Sequence, residues 1–149
     1  MFQLVSYEWE RVDGALITAA MRMGRTLYKW SGARRLQVWN LSESRFDVVD
    51  EMMPVELLEW FRDLEEKAIL LLEDGHMLLD QSNTERGFII WWLRELARMT
   101  KSENKCMILG TVTPTTILEL DKEMPIIELD LPRRHTLGII FDDVVEEAG

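Results

Sequence analysis

The chain has 149 residues, 47% of them hydrophobic, which suits one domain with a sizeable core. Its formal net charge of −10 opposes binding to duplex nucleic acid, which needs a basic face to release counterions. The single cysteine, Cys106, excludes a disulfide framework and a thiolate zinc site, and no apolar run approaches the ~20 residues of a membrane span or follows a basic start as in a signal peptide.

A reducing, cytoplasmic setting follows, without nucleic-acid or membrane partners. Phe2 to Tyr7 alternates apolar and polar residues and reads as a first strand. From Trp9 to Met23, the residues Val12, Ala15, Leu16, Ala19 and Met23 recur at three and four, which predicts a helix with one buried stripe, ended by Gly24. Thr26 to Trp30 is a second strand, and Leu36 to Asn40, set off by Gly32, is a small extra strand or ribbon. Pro54 suits the first turn of a second helix, where its missing N–H is no loss, and Leu57, Leu58, Phe61 and Leu64 supply a core face. The run from Ala68 to Leu72 is a third, buried strand closed by Glu73 and Asp74.

Ser82 and Glu85 match a capping box opening a third helix that runs to about Lys101. Its main stripe is Phe88, Trp92, Leu96 and Met99, widened by Ile89 and Leu93, with Ile90 and Trp91 outside it. Lys105 to Leu109 is a fourth strand, Pro114 to Lys122 a short helix or turn, and Pro125 to Leu131 a fifth strand; a last amphipathic segment begins near Thr136. Strands alternating with helices in this way predict an α/β domain with a mostly parallel five-stranded sheet, helices on both faces and right-handed crossovers.

A strand closed by two carboxylates is how the magnesium-binding strand of an NTPase looks, yet no Gly-Lys-Ser or Gly-Lys-Thr occurs in the chain. A phosphate cradle needs glycines for tight curvature and a lysine for the terminal phosphates, at the turn after the first strand. That turn is Ser6-Tyr-Glu-Trp-Glu-Arg11, bulky and acidic. Gly24-Arg-Thr26 echoes a phosphate-loop ending, but it follows a helix and has no glycine five residues earlier.

Gly110-Thr-Val-Thr-Pro114, Leu118 and Met124-Pro-Ile-Ile-Glu-Leu-Asp-Leu-Pro132 resemble the stretch of AAA-type ATPases from the sensor strand, typically Ala-Thr-Asn-x-Pro, to a last core strand ending in Leu-Pro. Over nearly its whole length the chain also resembles the degenerate amino-terminal domain of the ycf-forty-six-like AAA ATPases of cyanobacteria and plastids. Ser6 to Arg11 looks like that domain's Thr-x-Glu-Glu-x-Arg start, Tyr28-Lys-Trp-Ser31 like its aromatic second strand, and Leu70-Leu-Leu-Glu-Asp-Gly-His76 like its third. The resemblance implies a three-layer P-loop NTPase-like (RecA/AAA-like) domain with strand order 5-1-4-3-2, standing alone or forming the front of a longer ATPase. It also implies an AAA module in cis or trans as partner, and the plastid stroma as an alternative compartment. Trp9 replaces one of the expected acids, Val112 stands at the sensor asparagine, and Glu73 and Asp74 reverse the order of the magnesium-holding acid and the catalytic glutamate.

Glu73, Asp74, His76 and Asp80 gather ionisable groups at the carboxyl end of a central strand, where ligands bind in open α/β sheets, and form a candidate metal set. The competing reading is of solvated loop acids capping a strand. His135, next to Arg133 and Arg134, reads as a surface residue and not a base. Six tryptophans exceed what this core needs, and Trp60, Ile90 and Trp91 are candidate interface residues because each lies off a helix stripe. The expectation is a non-catalytic interaction or regulatory domain without a cofactor, docking on an ATPase module or on itself. The alternative is a divergent nucleotide- or metal-dependent hydrolase using Glu73 and Asp74.

Overall fold

In a computed structural model, which describes residues 1–99, 104–120 and 122–128, the buried run Phe2–Val5 is β1 and the amphipathic Trp9–Met23 is α1. Gly24 ends α1 in the left-handed region at φ 62°, where a side chain is disfavoured, and its N–H reaches the carbonyls of Ala20 and Met21. Thr26–Ser31 (β2), Arg35–Asn40 (β3) and Arg45–Asp50 (β4) follow, then α2 at Pro54–Asp63 with Pro54 in its first turn. Ala68–Leu72 is β5, Gly75–Leu78 a single helical turn (α3), and Arg86–Met99 is α4. Lys105–Thr111 (β6), a 3₁₀ turn at Leu118–Leu120 and Ile126–Glu128 (β7) complete the described chain.

The seven strands form one mixed sheet in the order β4-β3-β2-β5-β6-β1-β7. Pairing is parallel from β2 through β5, β6 and β1 to β7, and antiparallel from β2 through β3 to β4. The five parallel strands, numbered among themselves, run 5-1-4-3-2, as the resemblance implied. The expectation of five strands is corrected to seven among the described residues. The ribbon at Leu36 to Asn40 is a full strand, and Asn40 Oδ1 accepts the N–H groups of Ser42 and Glu43 to turn the chain back into β4. β4 carries Arg45, Asp47 and Asp50 and is largely exposed, so this edge strand has no burial signature in its composition.

Alternate residues of the central strands feed opposite faces, as a two-residue period requires. Ile69 and Leu71 pack with Phe2, Leu4, Val12, Leu16, Ala19, Leu27 and Ile108 beneath α1. Leu70 and Leu72 join Trp30, Leu57, Phe61, Ile89, Leu93 and Met107 beneath α2 and α4.

The start and the face of α4 differ from expectation. Ser82 donates its hydroxyl to Asp80 Oδ1 at 2.6 Å instead of capping the helix, Asn83 Oδ1 accepts the Glu85 N–H at 3.1 Å, and helical structure begins at Arg86. Two apolar stripes overlap on this helix, and the sheet takes the one holding Ile89, Ile90, Leu93 and Leu96, leaving Phe88 69% exposed. Lys101, the expected helix end, the end of the fifth strand, His135 and the segment from Thr136 lie outside the described residues. Among the described residues no helix is long and apolar enough to cross a membrane.

Lys105, at the start of β6, donates from Nζ to the carbonyls of Phe61 (3.0 Å) and Arg62 (2.9 Å). It neutralises the negative end of α2 and joins that helix to the sheet. Lys105→Met keeps the aliphatic stem but removes the ammonium from the Arg62 carbonyl and leaves the Phe61 carbonyl only its 3.4 Å bond from the Leu64 N–H, and lowers unfolding free energy by about 1–3 kcal/mol in urea titration.

Candidate functional site

The carboxyl edge of the parallel strands is where a ligand would lie, and three elements build it. After β1 the chain turns through Ser6, whose N–H bonds the Thr111 carbonyl (3.0 Å) and whose Oγ accepts the Glu8 N–H (3.0 Å), and α1 begins at once with Trp9. The Trp9 indole lies against Gly110 at the end of β6. A Cβ added at Gly110 would sit 2.7 Å from Trp9 Cη2 and 3.0 Å from the Leu72 carbonyl oxygen. The turn after β5 is as close, because a Cβ on Gly75 would come within 2.9 Å of the Gly110 carbonyl oxygen. Gln3, fully buried on β1, fixes the loop after β6: its Nε2 donates to Thr115 O (2.8 Å), while Oε1 accepts from Thr115 N–H (2.8 Å) and Thr111 Oγ1 (3.2 Å).

The electrostatic centre of this edge is Lys29. It follows the alternation of β2 onto the α1 face, beside Leu27, and its side chain is 6% exposed. Nζ donates to Asp13 Oδ2 of α1 at 2.9 Å, lies 3.4 Å from Glu73 Oε1 and stands 4.0 Å above the Phe46 ring centre. Glu73 continues the Ile69, Leu71 face past the end of β5, and 19% of its side chain is exposed. Burial pushes its carboxyl above the ordinary value of 4.5; Lys29 pulls it down, and Asp13 and Asp74 add to the rise.

This corrects the reading of Glu73 as a solvated strand-end acid. The metal set is corrected too. Glu73 faces Lys29, Asp74 Oδ2 accepts the Gly32 N–H (3.0 Å), and Asp80 accepts the N–H (2.8 Å) and hydroxyl of Ser82, which hold its carboxyl below the usual range. His76 sits on α3 with Nδ1 buried and unbonded. Among the described residues no three His, Cys, Asp or Glu side chains form a group able to hold a metal ion. Gly24-Arg-Thr26 lies at the opposite, amino edge, where Thr26 Oγ1 donates to Glu66 at 3.0 Å.

The tryptophan candidates separate. Ile90 is 7% exposed and belongs to the core, which corrects its outward placement. Trp60 is half-buried, its ring 5.0 Å from that of Tyr28. Trp91 is 47% exposed and, with Phe88, Gly87, Val55 and Glu59, walls a groove of about 850 Å³ between α2 and α4, floored by Trp92.

Sequence reasoning passed over Trp9 as an edge-filling ring, and also Asp13, Lys29 and Gln3. A signal existed for two of them: Lys29 stands between Tyr28 and Trp30, and Gln3 between Phe2 and Leu4, so each is a polar residue inside a buried strand.

Residues 1–129 match the family described as SpoVK-like AAA ATPase, N-terminal domain. Among curated proteins and among solved structures there is no match.

Two outcomes follow from the lysine. Lys29→Met leaves two neighbouring carboxylates without their cation and destabilises the fold by about 3–5 kcal/mol in urea titration. Because the folded Glu73 binds its proton more tightly than the unfolded residue, Glu73 favours folding below the ordinary value and loses that advantage as pH rises through the raised native one. The stability of Glu73→Gln relative to wild type therefore climbs with pH above 4.5 and levels off once Glu73 is ionised in the native state; a difference that is flat or falls with pH contradicts the burial of Glu73.

Proposed function

As the chain belongs to the SpoVK-like AAA ATPase N-terminal domain family, we propose that it is an NTPase-shaped domain that works by contact, as a docking or regulatory unit for an AAA ATPase module in cis or in trans. The observation that carries this reading is the Trp9 indole packed on Gly110 at the end of β6. In nucleotide-binding α/β folds the turn after the first strand is where backbone N–H groups cradle phosphates at a helix N-terminus. Here the residue that opens that helix is a large ring turned onto the sheet edge, in a chain that has no Gly-Lys-Ser or Gly-Lys-Thr. Glu73, the acid best placed to orient water or magnesium, is engaged with Lys29 instead. A finer placement within the ycf-forty-six-like branch is part of the proposal and draws on Ser6 to Arg11, Tyr28 to Ser31 and Leu70 to His76.

Without a phosphate cradle the free energy of about −8 kcal/mol that a micromolar complex requires has no source. Calorimetric titration of the chain with ATP and magnesium yields no saturable heat. A dissociation constant in the micromolar range or tighter favours the hydrolase reading of Glu73 and Asp74.

A further inference from the structure

Gly87, Phe88 and Trp91 share the face of α4 turned away from the sheet, at spacings of one, three and four residues. Phe88 and Trp91 are exposed large apolar side chains of α4, and with Val55 and Glu59 of α2 they wall the interhelical groove. Two independent features say what fits there. The first is Gly87. Glycine is the poorest helix former after proline, yet a Cβ at this position would meet nothing within 4 Å, so the fold itself does not call for glycine. Its absence of a side chain keeps one wall of the groove low. The second is charge. Glu59 and Glu85 are exposed on the rim, and among the described lining residues none is basic. The nearby Arg62 has its guanidinium bonded to Asp63 (2.9 Å), which offsets its charge, and 4.9 Å from the ring centre of Trp92.

We propose that this groove receives an amphipathic helix of the partner, with apolar residues at i, i+3, i+4 and i+7 against Phe88 and Trp91, and lysines or arginines on its flanks facing Glu59 and Glu85. A second copy of the chain is a poor occupant, because it brings a net charge of −10 and the same glutamates to an acidic rim. The inference rests on the contact reading above, and names the surface and the chemistry of the partner.

The test uses two designed helical peptides sharing one leucine stripe, flanked by Lys and Arg in the first and by Glu in the second, each dye-labelled and titrated with the full chain by fluorescence anisotropy. The basic peptide saturates, binds at least tenfold more tightly than the acidic one, and weakens as salt is added. Gly87→Leu fills open space on an exposed helical position without disturbing the fold, and its thermal melt is retained while binding weakens at least tenfold. Glu59→Lys with Glu85→Lys reverses the preference between peptides. Equal binding by wild type and Gly87→Leu overturns the inference, as does failure of the basic peptide to saturate. A wild-type dimer in light scattering that Gly87→Leu dissociates also overturns it, since the occupant is then a second copy. ATP binding by the same chain would instead remove the contact-only function and leave these peptide results standing, so the two failures are distinguishable.

Discussion

An ammonium group inside a protein must be met by charge where it lies, because an unpaired one costs several kcal/mol. Lys29 imposes that requirement at the carboxyl half of the sheet. To satisfy it, α1 must place Asp13, the end of β5 must place Glu73, and the hairpin of β3 and β4 must bring the Phe46 ring over the ammonium. Three segments far apart in sequence are thereby fixed relative to β2. The same demand determines what Glu73 can do. Glu73 is engaged by a buried lysine, on the face opposite α2 and α4.

The two faces of the sheet accordingly differ in kind. Beneath α1 an apolar layer ends in the ionic group of Asp13, Lys29 and Glu73, with the Trp9 ring closing the adjacent strand end. Beneath α2 and α4 the layer is apolar, and α2 is joined to β6 through Lys105. Packing of that second layer uses the inner side of α4 and leaves Phe88 and Trp91 with solvent on their outer side. The filled sheet edge and the apolar outer face of α4 are the two features on which the proposed contact role rests.

Local signals made much of this legible. Gly24 and Pro54 mark helix ends through backbone geometry that does not depend on the rest of the molecule, and Ala68 to Leu72 is short and apolar throughout, as a strand buried on both faces is. The five parallel strands are legible in the patterning of the chain, and their order only through the family resemblance. β4 was not, because an edge strand with Arg45, Asp47 and Asp50 has no need of apolar alternation. The inward face of α4 was not either, since Phe88 and Ile89 begin two equally apolar stripes and only the sheet chooses between them. At the site, two adjacent acids ending a strand suggested chemistry. What decides their roles is a lysine forty-four positions before Glu73 and a tryptophan at a helix start, contacts that exist only once the sheet has formed.

On the proposed contact reading, Glu73 is engaged by Lys29 and the chain itself does no phosphoryl chemistry. That reading is tested most directly by measuring phosphate release from ATP and magnesium by the wild-type chain and by Glu73→Gln. Both are expected to release phosphate at the rate of buffer alone. Release by wild type that rises with protein concentration and disappears in Glu73→Gln would contradict it.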